Sequence, residues 1–409
     1  MPYRIFIIAL CVVLLSASSI HAEDNSHLIV AWLDNDEFMV WQSGEPAPHP
    51  IASKFTTGYP RQVLISSDAH YVAVTVINPG SLWIAAPSEN NLIEVVPNQV
   101  LPAPNGDPKS ATIVNLQRGA NSTFYFTTLD QPSHYAFHNE DLWFVDAASA
   151  TRTYKQLLPS SQAGSFNLSP NHQHIAIVQS GTYGAVDGKI SLVDGAGQNR
   201  KAVMNFSAVS SGSDDSFYLP TFWEADSAAF NIAIPHKDLV YNDNSALTTL
   251  WHVAVDGTET QLGSVQATVF GLPQWSDDGK TITYMRRLGD ISTNQFELMI
   301  ASGDGSNPIT YANGTAGEIG VPHWLPNSNQ FVYSQGELGD YWLGQAGQPP
   351  QALPGKIFNP QFIDSSTYVF ATAPGDTFEL RYAHIGDASS TLIATVHNVV
   401  PVFDALLVP

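Results

Sequence analysis

Two short patterns alternate along this chain, and their spacing constrains the fold more tightly than composition does. The first is read from residues 272–285, LPQWSDDGKTITYM: a short run ending in the apolar anchor Trp275, a Ser-Asp-Asp-Gly turn, then an alternating strand over Thr281–Met285. Its apolar anchor recurs at Ile65, near Leu116, and at Leu168, Trp223, Trp275, Trp324, Phe362 and Phe403. The second is the strand FELMIA, Phe296–Ala301, followed by a Gly303-Asp304-Gly305 turn. Its counterparts are Glu37–Trp41, Ser81–Ala85, Asp141–Asp146, Lys189–Asp194, Thr249–Val255, Asp340–Gly344 and Phe378–Ala383. Each pattern occurs eight times, with the Leu116 copy the weakest match. Repeats of about 40–55 residues built from antiparallel strands are the period of propeller blades.

These observations predict an all-β chain folded as a single closed β-propeller of four-stranded antiparallel blades. Eight blades are expected, or seven if the Leu116 unit is not a blade. No stretch sustains an apolar period of 3.6, so almost no helix is expected. The two series are offset. The first outer strand, Glu37–Trp41, has no anchor before it, and the last anchor, Phe403, has no outer strand after it. One blade is therefore expected to combine strands from both termini, which removes the unpaired edges an open ring would carry. The Trp and Phe anchors are expected to fill the wedges between blades, and Pro273, Pro322, Pro360 and Pro401 to end loops where inner strands begin. Asp-Gly turns suit the hairpins, because Gly adopts positive φ and Asp bonds nearby backbone.

SPNHQHIAIV, SDDGKTITYM and the turn ASGDGSNPIT resemble the WD-type repeats of the TolB family of periplasmic proteins. Similar repeats form the propeller domain of prolyl oligopeptidases. The resemblance runs from about Leu28 to Pro409 and implies a propeller acting in the periplasm. Two departures accompany it: no segment matches TolB's separate N-terminal domain, and no peptidase domain is expected after the closing strand.

Residues 1–22, MPYRIFIIALCVVLLSASSIHA, read as a secretory signal peptide, with Arg4, an apolar run over Ile5–Leu15 and small residues up to Ala22. The run is short of the ~20 residues that span a bilayer, so cleavage near Ala22 is expected, with residues 23–409 forming the propeller. Cys11 is the one cysteine and lies inside the leader, so the mature protein would have neither disulfide nor cysteine-ligated zinc. Against 16 basic residues stand 37 acidic ones, a formal net charge of −21. That balance disfavours nucleic acid and anionic lipid and favours a basic partner. The sequons at Asn121, Asn167, Asn205 and Asn313 read as chance occurrences.

No Gly-x-Ser-x-Gly elbow and no phosphate-binding Gly-rich loop is present. His134 and His138 are four residues apart in a loop, where that spacing gives no shared helical face. His172 and His174 flank a turn and a strand start, so one or both read as surface residues. Asp277 and Asp278 are oxygen ligands of the type Ca²⁺ prefers, but their turn role accounts for them, and no cofactor is expected. The loops are more informative. Four long links, Asp130–Glu140, Gly181–Gly188, Pro235–Ala246 and Arg286–Gln295, fall on consecutive units. Read as links between third and fourth strands, they would form one raised wall on one face. The wall supplies the candidate partner-binding residues: His134, Tyr135, His138, Tyr183, His236, Tyr241, Asp243, Arg286 and Arg287. Binding loops on a rigid scaffold are a common use of such a fold. The function expected is a secreted or periplasmic, monomeric, non-enzymatic protein- or peptide-binding or scaffold module. The alternative is a propeller enzyme, a lyase, lactonase or glycan-active hydrolase, with its site at the channel mouth.

Overall fold

The computed structural model describes residues 26–34, 37–52, 59–77, 80–86, 92–97, 111–130, 137–210, 218–238, 247–289, 292–373, 375–397 and 401–408. They form eight antiparallel sheets, each a blade with strands a to d running outward from the axis. Blade I is Phe403–Val408, His27–Asp34, Glu37–Gln42 and His49–Ala52. Blade II is Tyr59–Ile65, Val72–Ile77, Ser81–Ala85 and Leu92–Val96. Blade III is Ala111–Arg118, Thr123–Asp130, a broken third strand (Phe137–His138 and Leu142–Asp146) and Tyr154–Leu158. Blade IV is Ser165–Leu168, His174–Gln179, Gly188–Asp194 and Lys201–Phe206. Blade V is Thr221–Trp223, Ala229–Ile234, Thr248–Ala254 and Glu259–Val265. Blade VI is Gln274–Trp275, Thr281–Arg287, Gln295–Ser302 and Ile309–Thr315. Blade VII is His323–Trp324, Gln330–Ser334, Tyr341–Gln345 and Gln351–Ala352. Blade VIII is Phe358–Phe362, Thr367–Thr372, Phe378–His384 and Thr391–Val396. The Leu116 unit is thus a blade, and the ring has eight. One 3₁₀ turn, Val269–Gly271, is the only helical segment among the described residues.

The ring closes in blade I as its offset patterns imply. Phe403–Val408 pairs antiparallel with His27–Asp34, from Trp32 opposite Phe403 to His27 opposite Val408. Each space between successive blades holds its own apolar cluster. At the closure, Val30, Trp32 and Phe403 meet Val369, Leu380 and Val396. Between IV and V, Val178, Ile190 and Phe206 meet Trp223, Phe230 and Val253. Strand alternation makes this possible: successive side chains point to opposite sheet faces, so each blade supplies one face to each neighbour.

Three expectations need correction. The recurring FELMIA-type strand is strand c, not the outermost; a further strand d follows it in every blade, largely exposed in blades VI and VII and half-buried in blade II. The long links therefore join strands b and c, not third and fourth, although all such links still emerge on one face. The anchor register also shifts. In blades IV to VIII the anchor lies opposite the second residue of strand b, as Trp275 lies opposite Ile282. Ile65 holds the same place in blade II, four residues before the left-handed Ala69 as Trp275 is before Gly279, whereas in blades III and I it is Arg118 and Leu407, not Leu116 and Phe403, that lie opposite the second residue of strand b. In blade III a register shift between Val114 and Gln117, with Asn115 at φ 52°, displaces the pattern. Leu116 is buried in the wedge between II and III, so its hydrophobicity mimics an anchor.

Turn chemistry is local. Ser276 Oγ and Lys280 N both donate to Asp278 Oδ1, at 2.7 and 3.1 Å, while Gly279 takes φ +68°. The equivalent left-handed place is held by Ala69, His172 and Ser227 in blades II, IV and V. Blade III's broken strand turns on Asp141, fully buried, which accepts from Thr128 N, Thr128 Oγ1 and Trp143 Nε1 at 2.6–2.8 Å. A buried carboxylate persists only with its acceptor capacity filled in this way.

Candidate functional site

The axis presents an edge problem. Strand a of each sheet has no neighbour on its inner side, and unpaired buried backbone groups are costly. Side chains from adjacent blades satisfy them. Gln62 donates to Leu116 O (2.8 Å), Gln117 to Phe166 O (2.7 Å), Asn167 to Thr221 O (2.7 Å) and Gln361 to Phe403 O (2.8 Å), each reaching into the following blade. Trp324 Nε1 reaches back to Gln274 O at 2.8 Å. At the closure, Asp404 Oδ2 accepts from Ile65 N at 2.6 Å and from Arg118, whose Nε donates to Ile65 O at 2.7 Å. Blades I, II and III are thereby clasped by one ion pair. Burial raises the Asp404 carboxyl above its ordinary range, and Arg118 and the Ile65 amide pull it only part of the way back.

Beside this belt, a cleft of roughly 510 Å³ opens among the inner strands and turns of blades II to VI, and Arg118, Asn167, His172, Phe222 and Asp277 line it. His172 is the feature of this cleft that sequence reading set among surface candidates. It is held in left-handed backbone at φ 57°, is half-buried, and its Nδ1 is enclosed without a hydrogen-bond partner. Burial, then the nearby Arg118 charge, lower its pKa, so the ring is neutral near pH 7. Alignment of the four-residue turns could have placed it, since it stands where blade VI has Gly279. No cluster of three or more His, Cys, Asp or Glu suited to a metal ion occurs among the described residues.

The opposite face carries the b–c links. His134, Tyr135, Tyr241, Asp243 and the side chain of His138 lie outside the described residues. The remaining candidates divide. Tyr183 of blade IV donates its hydroxyl to Asp238 Oδ1 of blade V at 2.5 Å, so two successive links touch. Glu140 from the blade III link accepts from Gln179 of blade IV and from Tyr218, just before blade V, both at 3.3 Å. Burial raises the Glu140 pKa, opposed by those two bonds. His236 stands half-exposed beside Asp238, whose backbone N–H donates to its Nδ1 at 3.3 Å. Arg286 is turned inward: it pairs with the cross-strand Glu297 at 2.9 and 2.5 Å, and Glu297 is buried. Arg287 stacks its guanidinium 4.6 Å over the Phe296 ring and donates to Thr293 O at 2.7 Å.

Of the exposed apolar residues that most distinguish this face, the sequence marked only Tyr183. Tyr183, Val186, Leu247, Leu288 and Leu338, 38–84% exposed, all lie on b–c links of blades IV to VII. They are five of the seven large apolar residues that are exposed among the described residues. No periodicity marks them, because they stand singly in polar loops.

No family model matches the chain, and no curated protein matches it in sequence. Solved structures do. The Dos1 propeller aligns with a TM-score of 0.52 at 11% identity, covering 85% of each chain. The tricorn protease aligns at 0.49 and 10% identity, over 92% of this chain and 39% of the protease. TolB from Acinetobacter baumannii aligns at 0.36 and 10% identity, over 93% of this chain and 66% of TolB. At 11% identity the likeness to the Dos1 propeller is one of architecture alone, and it agrees with the eight blades above: the chain is a β-propeller.

Proposed function

We propose that this protein is an exported, non-enzymatic docking module that binds a protein or peptide through its b–c face. The observation that carries this reading is the row of exposed Tyr183, Val186, Leu247, Leu288 and Leu338 on four consecutive blades. Exposed apolar side chains gathered on one face mark interaction surfaces, and rigid scaffolds place such loops at low entropic cost. Links joined to one another, as Tyr183 is to Asp238, present that surface preorganised. The inner belt supports the same reading, since the amides nearest the axis are engaged with backbone. The test is capture of a partner from the native envelope by the wild type and by a Tyr183→Ser, Leu288→Asp, Leu338→Asp triple variant. Loss of the partner with an unchanged melting temperature supports the proposal; equal capture overturns it. Export is tested in the same preparation, whose mature N-terminus should lie at Glu23 or within a few residues of it.

The second reading is an enzyme at the channel mouth, favoured by His172, a neutral imidazole held in left-handed backbone with Nδ1 unpartnered. Such strain gathers at functional sites. Hydrolase and lyase screening of the wild type against His172→Asn separates the two readings: a turnover lost in the variant would favour the enzyme.

A further inference from the structure

Between the outer halves of blades IV and V a groove of roughly 790 Å³ opens on the rim of the ring. Its apolar lining is Met204 and Phe206 from strand d of blade IV, and Leu247 and Trp251 from blade V. Leu247 is 54% exposed and belongs to the row of apolar residues on the b–c face, so groove and face are continuous. The ends of the groove differ in charge. His236 and Lys237 border it where it meets the b–c face, and Glu259, opposite Val253 on strand d of blade V, lies toward the other face. Lys237 is exposed, and no carboxylate among the described residues forms an ion pair with it. Strand d of blade IV, Lys201–Phe206, is also the outer edge of its sheet, with no further strand paired to it among the described residues.

We infer that this groove is the anchor site for an extended, acidic and apolar peptide segment of the partner. The inference rests on the docking function above and names the chemistry of its ligand. An extended chain can pair with an exposed strand edge, leaving alternate side chains to enter the groove. Apolar side chains settle over Met204 and Trp251, and a carboxylate meets Lys237 at the end next to the b–c face. Glu259 disfavours a second carboxylate at the other end and so sets the direction of the segment. The whole protein is strongly acidic, which alone would favour basic ligands. Selection of an acidic peptide would therefore report the groove and not the net charge.

The experiment uses the full mature chain and two labelled, acetylated decapeptides, one alternating Phe with Asp and one alternating Phe with Lys, followed by fluorescence anisotropy. The acidic peptide is expected to bind at least tenfold more tightly than the basic one. Lys237→Glu should weaken it at least tenfold and Met204→Asp should abolish binding, with both variants melting as the wild type does. Equal binding of the two peptides, no binding of either, or full affinity in Lys237→Glu overturns the inference. Should Met204→Asp melt early, Met204→Lys at the same half-exposed site and Lys237→Glu still decide the matter. A captured partner that is lost from the triple b–c variant but retained by Lys237→Glu would leave the docking function standing and remove the groove from it.

Discussion

The inner belt and the b–c face are built from different residue types and put them to opposite uses. Along the axis, Gln62, Gln117, Asn167 and Gln361 spend their amides on backbone carbonyls of the next blade. On the b–c face, Leu247, Leu288 and Leu338 remain exposed to solvent, and Tyr183 uses only its hydroxyl. The contrast teaches that the polar side chains at the axis of this ring are engaged in holding it together. The polar axis is structural, because each sheet must cap an edge there, whereas the apolar rim has no folding reason to be exposed.

The largest effect that could break this comparison is removal of residues 403–409. Blade I loses its inner strand, the cluster with blade VIII loses Phe403, and the clasp of Arg118 loses Asp404. Loss of cooperative melting and aggregation are expected; a truncated protein melting like the full chain would show that closure does not hold the ring. A narrower probe is Asp404→Ala. It leaves Arg118 and the Ile65 amide without their partner, and breaking a buried pair costs about 3–5 kcal/mol. Denaturant unfolding measures it, and a loss under about 1 kcal/mol would demote the clasp to an ornament of the axis.

Arg286→Ala sharpens the contrast within the b–c links themselves. Because it strands the buried Glu297, a stability loss of about 1–3 kcal/mol is expected, with no requirement for a change in binding. Tyr183→Ala should do the reverse, shifting stability within about 0.5 kcal/mol while weakening a captured partner by about 2 kcal/mol. Paired melting and affinity measurements on the two variants would exchange their roles if the inward turn of Arg286 were irrelevant.

The smallest effect concerns pH. Burial and Arg118 hold His172 below the ordinary imidazole value, so the folded state prefers the neutral ring. Its contribution to stability is present above the unfolded value and is lost as pH falls through the lowered folded value. The wild type should therefore lose more stability than His172→Asn between about pH 7 and pH 5; parallel profiles would place the imidazole in free solvent.

Much of the architecture was legible in the chain because blades are local. A hairpin needs only a turn such as Ser276–Gly279 and alternation on either side, so strand identity, blade number and terminal closure follow from repetition and offset. Register was less legible. Leu116 is apolar and buried, and hydrophobicity cannot separate an anchor from a residue one bulge away. The candidate site was legible in part: the four long links do fall on one face and two of them touch, but Arg286 pointed inward for a reason that lies eleven residues on, in Glu297.

The sequence by itself determined what nearest neighbours along the chain decide: strands, turns, the count of repeats and the composition of each wedge. Only the tertiary structure decided which side chain caps which edge, that Arg118 joins Asp404 across 286 positions, and that the separate loops carrying exposed apolar residues emerge on one face. The physical reason is that hydrogen bonds and apolar contacts act over a few ångströms in space. Once the ring closes, that distance bears no relation to separation along the chain.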